Sequence, residues 1–179
     1  MPEFIYGRWP VLEALQANRR QFEQLLLVDT VEERDNIVDI ISAAETRGIP
    51  IRRVPRRVVD DLAKNANHQG VVLRTGAYPF VDLHDLLETS MLRQEKNFFL
   101  ALDLLQDPQN VGSLLRVADA VGVHGVILQE RRGVGVTPAV LAASAGAVQP
   151  LRVAQQGAIA LYSAWPARGW QGGADAAQG

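Results

Sequence analysis

The sequence predicts an α/β protein built from two small domains. Two observations carry that expectation. Apolar segments at strand and at helix spacing alternate between residues 24 and 74, the pattern of a small mixed domain. Further on, residues 98–128 (FFLALDLLQDPQNVGSLLRVADAVGVHGVIL) read as strand, polar turn, helix and strand, in roughly the 30 residues that a parallel crossover needs. With 179 residues, 47% of them hydrophobic, the chain has enough apolar material to bury a core.

Phe4 to Arg8 leads into an amphipathic segment, Val11 to Ala17, whose Val11, Leu12, Ala14 and Leu15 suit one face of a helix starting after Pro10. Gln24 to Val28 reads as a strand. Val31 to Arg47 is expected as a helix with Ile37, Val38, Ile40 and Ile41 inward, Glu32 to Asp35 in water, and Gly48 closing it. Ile49-Pro50-Ile51 begins a strand that leads into Arg52-Arg53-Val54-Pro55-Arg56-Arg57. A short helix from Val58 to Ala63, a polar turn from Asn65 to Gly70 and a strand from Val71 to Arg74 complete the first domain. Thr75 to Asn97 bridges onward and holds a helix from Val81 to Leu92.

In the second domain, Phe98 to Leu105 is short and bulky enough for a strand covered on both faces. Pro108 and its polar neighbours form a turn, and Asn110 suits the cap of the next helix. Val111, Leu114, Leu115, Ala118 and Val121 recur at helical spacing, with Arg116 and Asp119 off that stripe. Gly122 ends the helix and Gly125 opens a second strand. Ligands of open parallel sheets bind at the carboxyl ends of strands, which puts chemistry at Asp107 to Gly112. Gly112, lacking a side chain, lets a substrate approach the first-turn N–H groups. Taken alone, these residues fit a capped helix with a structural glycine and a solvated arginine at least as well.

A net charge of −2 and a pI of about 5.9 give no global signature of a nucleic-acid binder, so any such affinity must come from a local patch. Between residues 47 and 64, Arg47, Arg52, Arg53, Arg56, Arg57 and Lys64 face only Asp60 and Asp61. That excess is either a phosphate footprint or a solvated strand edge kept from sticking by charge. His68, in the turn Asn67-His68-Gln69-Gly70, lacks a nearby carboxylate in sequence to orient it and reads as a turn residue. The chain contains no cysteine, which removes disulfides and thiolate metal ligands and fits a reducing cytoplasm; no metal site is expected. No apolar run approaches the roughly 20 residues of a membrane span. Met1-Pro2-Glu3 does not open a signal peptide, and a cytoplasmic protein without membrane contact is expected. Gly133 to Pro138 lacks the third glycine of a dinucleotide loop.

The stretch Asp107-Pro-Gln-Asn-Val-Gly-Ser-Leu-Leu-Arg116-Val-Ala-Asp119-Ala-Val-Gly122-Val-His-Gly-Val resembles the first signature motif of the SpoU (TrmH) family of RNA ribose 2′-O-methyltransferases. Tyr6-Gly7-Arg8 with Val11, Glu13, Ala14 and Leu15 is similar to that family's opening, and Asn67-His68-Gln69-Gly70 to a segment of its RNA-binding domain. Gln129 to Gly133 resembles the basic turn after the family's second strand. Ala142 to Val148 continues the match, with Gln149 where many relatives carry Glu. The resemblance implies an L30-like α/β RNA substrate-binding domain over 1–74 and a linker over 75–97. It further implies an incomplete SPOUT-type (α/β knot) methyltransferase domain over 98–154 and a divergent tail over 155–179. RNA contact is expected from Arg8, Arg52, Arg53, Arg56, Arg57, Asn67, His68, Gln69 and Arg132.

In that family the ribose 2′-hydroxyl attacks the methyl carbon of S-adenosylmethionine. Arg116 matches the arginine held to activate the hydroxyl and Asn110 the motif's functional asparagine. A guanidinium stays protonated and is a poor base. Arg116 is therefore expected to fix the phosphate and hydroxyl, and Asn110 to orient the loop or ribose. The pattern is lost after Val153. A Gly-Ser/Ala-Glu-Gly segment and a Ser-Leu-Asn-Val-Ser-type segment, which build the family's knot, hold S-adenosylmethionine and make most of the homodimer contact, do not occur in this sequence. The expectation is a truncated or frameshifted chain that neither binds the cofactor nor forms the family's dimer contact, with cofactor residues unassigned. Its partner is RNA, ribosomal or transfer, and the 23S-directed branch is the most similar. The alternative is an RNA-binding fragment without catalysis.

Overall fold

The computed structural model describes residues 2–157. The first domain runs β1 (Glu3–Tyr6), α1 (Arg8–Ala17), β2 (Phe22–Val28), α2 (Asn36–Thr46), β3 (Ile51–Val54), α3 (Arg56–Leu62) and β4 (Val71–Thr75). Then follow α4 (Leu83–Leu92), β5 (Phe99–Leu102), α5 (Pro108–Ala120), β6 (Gly125–Gln129), α6 (Pro138–Ala143) and β7 (Val153–Gln156). The strands form two sheets, ordered β1-β4-β2-β3 and β5-β6-β7.

In the first sheet β4 is antiparallel to β1 and β2, and β3 is parallel to β2. Because side chains alternate across a strand, Leu25, Leu27 and Leu73 meet Val11, Leu15, Ile37 and Ile40 of α1 and α2, while Leu26, Val28 and Val72 meet Val59 on the α3 side. The second sheet is wholly parallel. Val126, Leu128 and Val153 pack against Val111, Leu115 and Val140 of α5 and α6, while Ile127 and Ala154 pack against Leu83 and Leu86 of α4.

Several elements depart from the sequence reading. β1 is a strand in its own right, and α1 begins at Arg8 with Pro10 inside its first turn. The segment before α2 is not helical from Val31: the Arg53 guanidinium donates to the carbonyls of Val28, Asp29 and Val31 and pairs with Glu33, holding that segment as a loop. α2 consequently buries Ile37, Ile40 and Ala44 and leaves Val38 exposed. β5 stops at Leu102, is an edge strand among the described residues and leaves Ala101 exposed, so it is not covered on both faces there. On α5, Leu114 and Val121 lie outside the buried stripe of Val111, Gly112, Leu115 and Ala118. Gln155 and Gln156, read as the start of an unpatterned tail, pair in β7 with Leu128 and Gln129. The rest of that tail, 158–179, lies outside the described residues.

The turn after α6 joins the domains. The buried Tyr78 hydroxyl lies 3.0 Å from the Val148 carbonyl and 2.8 Å from that of Leu151, and Arg19 donates to Leu151 as well. Gly146, at φ +90°, sits where a Cβ would come 2.7 Å from Glu13 Cβ and 3.1 Å from Pro10 Cα. This close approach requires glycine.

Candidate functional site

A cleft of about 520 Å³ opens beside the loop between α3 and β4, lined by Arg8, Val28, Thr30, Val31, Arg56, Asp60, Asn65, Ala66, Asn67, His68, Gln69 and Gly70. The loop is held in an unusual backbone, with positive φ at Lys64, Asn65, Gln69 and Gly70. Such conformations persist where the surroundings over-determine them. His68 supplies one constraint. Its ring is buried, with 4% of the residue exposed; Nδ1 accepts from the Gly70 N–H at 3.0 Å, and Nε2 lies 2.8 Å from Asp60 Oδ1. Since Nδ1 accepts, the proton of the neutral ring sits on Nε2 and is donated to Asp60.

The carboxylate that sequence proximity did not reveal is therefore present, brought over by α3. Asp60 lies one helical turn after Arg56, whose Nε is 3.9 Å away. His68 holds the loop rather than presenting its ring, a correction to its expected role in direct contact. Arg8 supplies the second constraint: its backbone N–H donates to Gln69 Oε1 at 3.0 Å and its Nε to the Gln69 carbonyl at 3.4 Å. Arg8, Arg56, Asn65, Asn67 and Gln69 thus present two cations and three amides around one concavity. Asp60 and Asn65 were not singled out in the sequence. The i, i+4 spacing of Arg56 and Asp60 was the available signal.

The basic run does not act as one patch. Arg52 and Arg53 are adjacent on β3 and project to opposite sheet faces. Arg53 is spent on the carbonyls and carboxylate named above, so it is not a free phosphate ligand. Arg52 and Arg57 are exposed, and neither lines the cleft.

The second group lies at the carboxyl ends of β5 and β6. Asp107, not Asn110, caps α5: its carboxylate accepts from Gln109 N at 3.2 Å and Asn110 N at 3.3 Å. Pro108 fixes this choice, since it disfavours helical backbone in Asp107 and occupies the first helical position without needing a donor. Asn110 and Arg116 are both exposed on α5, and no hydrogen bond or ion pair engages either side chain among the described residues. Six residues apart, they project roughly 120° from one another about the axis, so the helix alone does not aim them at one point. Gly112 faces α6: a Cβ there would lie 2.5 Å from Ala143 Cβ and 2.8 Å from Ser144 N. It serves helix packing rather than substrate approach, contrary to expectation. Arg132, at φ +64°, is exposed in the loop after β6, and Gln106 Nε2 donates to its carbonyl at 3.2 Å. Arg132 therefore sits beside the α5 turn and not in the cleft.

Two acids, Glu13 on α1 and Asp119 on α5, lie near enough for the charge of one to act on the other. Burial raises the Asp119 carboxyl above its ordinary range, and burial together with the Asp119 charge raises that of Glu13. His84, Asp85 and Glu88 bring ligand-type atoms within 4.8 Å of one another on the exposed face of α4, where His84 and Glu88 already form a 3.5 Å pair. No described helix is long and apolar enough to cross a membrane.

Residues 4–81 match the family model described as RNA 2′-O ribose methyltransferase substrate binding, and residues 97–168 match the SpoU rRNA methylase family. The second match runs past residue 154, where the sequence reading had it end. The chain is 38% identical over 153 residues to YacO of Bacillus subtilis (strain 168), which is named as a TrmH family tRNA/rRNA methyltransferase; the match covers 86% of this chain and 60% of that one. The SpoU methyltransferase AviRb from Streptomyces viridochromogenes, in complex with AdoMet, superposes with a TM-score of 0.72 at 21% identity, covering 90% of this chain and 58% of that one. An AdoMet-bound rRNA methyltransferase from Sinorhizobium meliloti gives 0.70 at 22% identity, over 90% and 57%. These two likenesses establish the fold, and the chain spans about 60% of the length of the proteins it matches. A substrate-binding match and a methylase match, in that order and joined across α4, place the chain in the SpoU (TrmH) family of RNA methyltransferases.

Proposed function

We propose that this chain contributes the RNA grip and the hydroxyl-orienting helix of a ribose 2′-O-methyltransferase acting on ribosomal RNA, with a guanosine of 23S rRNA as target. One observation carries this reading. Arg8 and Gln69, far apart in sequence, are bonded at the mouth of a cleft that adds Arg56, Asn65 and Asn67 over the His68–Asp60 latch. Guanidinium groups bind phosphate oxygens, and side-chain amides read base edges. On α5, Arg116 fixes the phosphate and hydroxyl of the target nucleotide and Asn110 orients its ribose. The residue placing Asn110 is Asp107, through its hold on the Asn110 N–H.

The family implies S-adenosylmethionine, the source of the methyl group. The described residues fit it poorly. At the carboxyl ends of β5 and β6 the loop groups are spent on each other: Leu104 N donates to Gln129 Oε1, Val134 N to the Leu105 carbonyl and Gln106 Nε2 to Arg132. The cleft described above lies at the α3–β4 loop and not there, and a cofactor site needs a largely preformed concavity. No step is therefore routed through it, and the 179-residue chain is inferred not to bind it. The test is direct binding to a 23S rRNA fragment and to a transfer RNA, with calorimetric titration of S-adenosylmethionine alongside. Tighter binding to the ribosomal fragment, weakened by the Arg8→Ala, Asn67→Ala double variant, supports the reading. Equal binding by that variant overturns the cleft's role, and a stoichiometric cofactor isotherm overturns the inference about the cofactor.

A further inference from the structure

We propose that Trp9 is a stacking platform for one unpaired nucleobase, so that the RNA strand enters the cleft single-stranded; this rests on the proposed reading of the cleft as an RNA site. Trp9 is 55% exposed on α1, although an indole gains more from burial than almost any other side chain. It walls a shallower concavity of about 410 Å³ together with Arg8, Asp35, Asn36 and Gln69. Arg8 and Gln69 line the main cleft too, so the two concavities form one trough.

Charge divides that trough. Asp35 lines only the Trp9 side and repels a phosphate there, Arg56 lines only the main cleft, and Arg8 stands between them and lines both. A nucleotide laid along the trough places its phosphate against Arg8 and its base on the indole, with the Asn36 amide at the base edge. The Arg8 guanidinium is tied to the Gln69 carbonyl, which keeps it beside the indole as a phosphate anchor. In a duplex the bases are stacked and their faces closed. Aromatic platforms of this kind take bases from loops, bulges and ends.

The test uses the full chain carrying Trp165→Phe and Trp170→Phe, so that all indole emission comes from Trp9. A single-stranded ten-nucleotide RNA should quench it saturably, and a duplex of the same sequence should not. Trp9→Ala should weaken single-strand binding by roughly 5- to 150-fold, the range for losing one stacked base, and leave the salt dependence of affinity unchanged. Trp9→Phe should keep affinity within roughly 3-fold, since it retains a ring face. Equal quenching by the duplex, or an unchanged affinity in Trp9→Ala while Arg8→Ala still weakens binding, overturns this inference alone. Absence of binding by the unaltered chain to either RNA overturns it together with the RNA reading.

Discussion

Arg8 and Gln69 are 61 residues apart and meet twice, Arg8 N to Gln69 Oε1 at 3.0 Å and Arg8 Nε to the Gln69 carbonyl at 3.4 Å. The pair ties the start of α1 to the loop before β4 and sets the mouth of the cleft. Gln69→Ala removes the acceptor of the first bond, worth about 0.5–1.5 kcal/mol. RNA affinity is expected to fall up to roughly tenfold with little change in overall stability, measured by filter binding and urea unfolding. Unaltered affinity in a folded variant would count against a preset cleft.

The latch beneath that mouth should be costlier to break. Asp60→Ala leaves the Nε2–H of the buried His68 without its acceptor, a loss of about 1–3 kcal/mol. Asp60→Asn keeps an acceptor at Oδ1 and should lose less. Urea unfolding of the two variants measures the difference, and equal stabilities would mean that the contact does not hold the loop.

Gly112→Ala sets two effects against each other. Helix propensity favours alanine by about 1 kcal/mol, but the new Cβ would lie 2.5 Å from Ala143 Cβ and 2.7 Å from the Ala143 carbonyl carbon. Because backbone atoms of α6 cannot simply swing aside, overpacking wins and the variant is expected to lose about 1–3 kcal/mol. A gain in stability, measured by denaturant titration, would show that α5 and α6 can part at no cost.

Glu13 and Asp119 give a pH signature. A raised carboxyl pKa in the folded state means that folding retains the proton. The contribution of Glu13 is fully favourable below its unfolded value near 4.5 and is lost as pH rises through the raised folded value. At neutral pH both carboxylates are charged and repel each other. Glu13→Gln should therefore raise the melting temperature at pH 7 and give no gain at pH 4. Equal gains at both pH values would remove the electrostatic explanation.

Features of this fold with local causes were legible in the sequence. Gly122 closes α5 at φ +69°, as expected from residue type and position, and Thr137 caps α6 through its hydroxyl, as a threonine before a proline can. Asp107 as the cap of α5 is equally legible, since an acid before a proline is a helix start. What could not be read was set by contacts distant along the chain. β1 exists because it pairs with β4, and the start of α2 is delayed because Arg53 claims the carbonyls before it. Gly112 answers to Ala143, and His68 meets a carboxylate carried across by α3. The split of Arg52 from Arg53 follows from strand alternation once β3 is placed at Ile51–Val54, two residues further along than the sequence suggests.

The cleft's grip on RNA is tested most directly by the dependence of affinity on salt. Each phosphate contact to a single strand contributes about 0.7 to the slope of log affinity against log salt. The Arg8→Ala, Arg56→Ala double variant should lower that slope by roughly 1.4, while Arg34→Ala, an exposed cation outside the cleft paired with Glu32, should leave it unchanged. A slope in the double variant equal to that of the unaltered chain would contradict the assignment of this cleft as the RNA site.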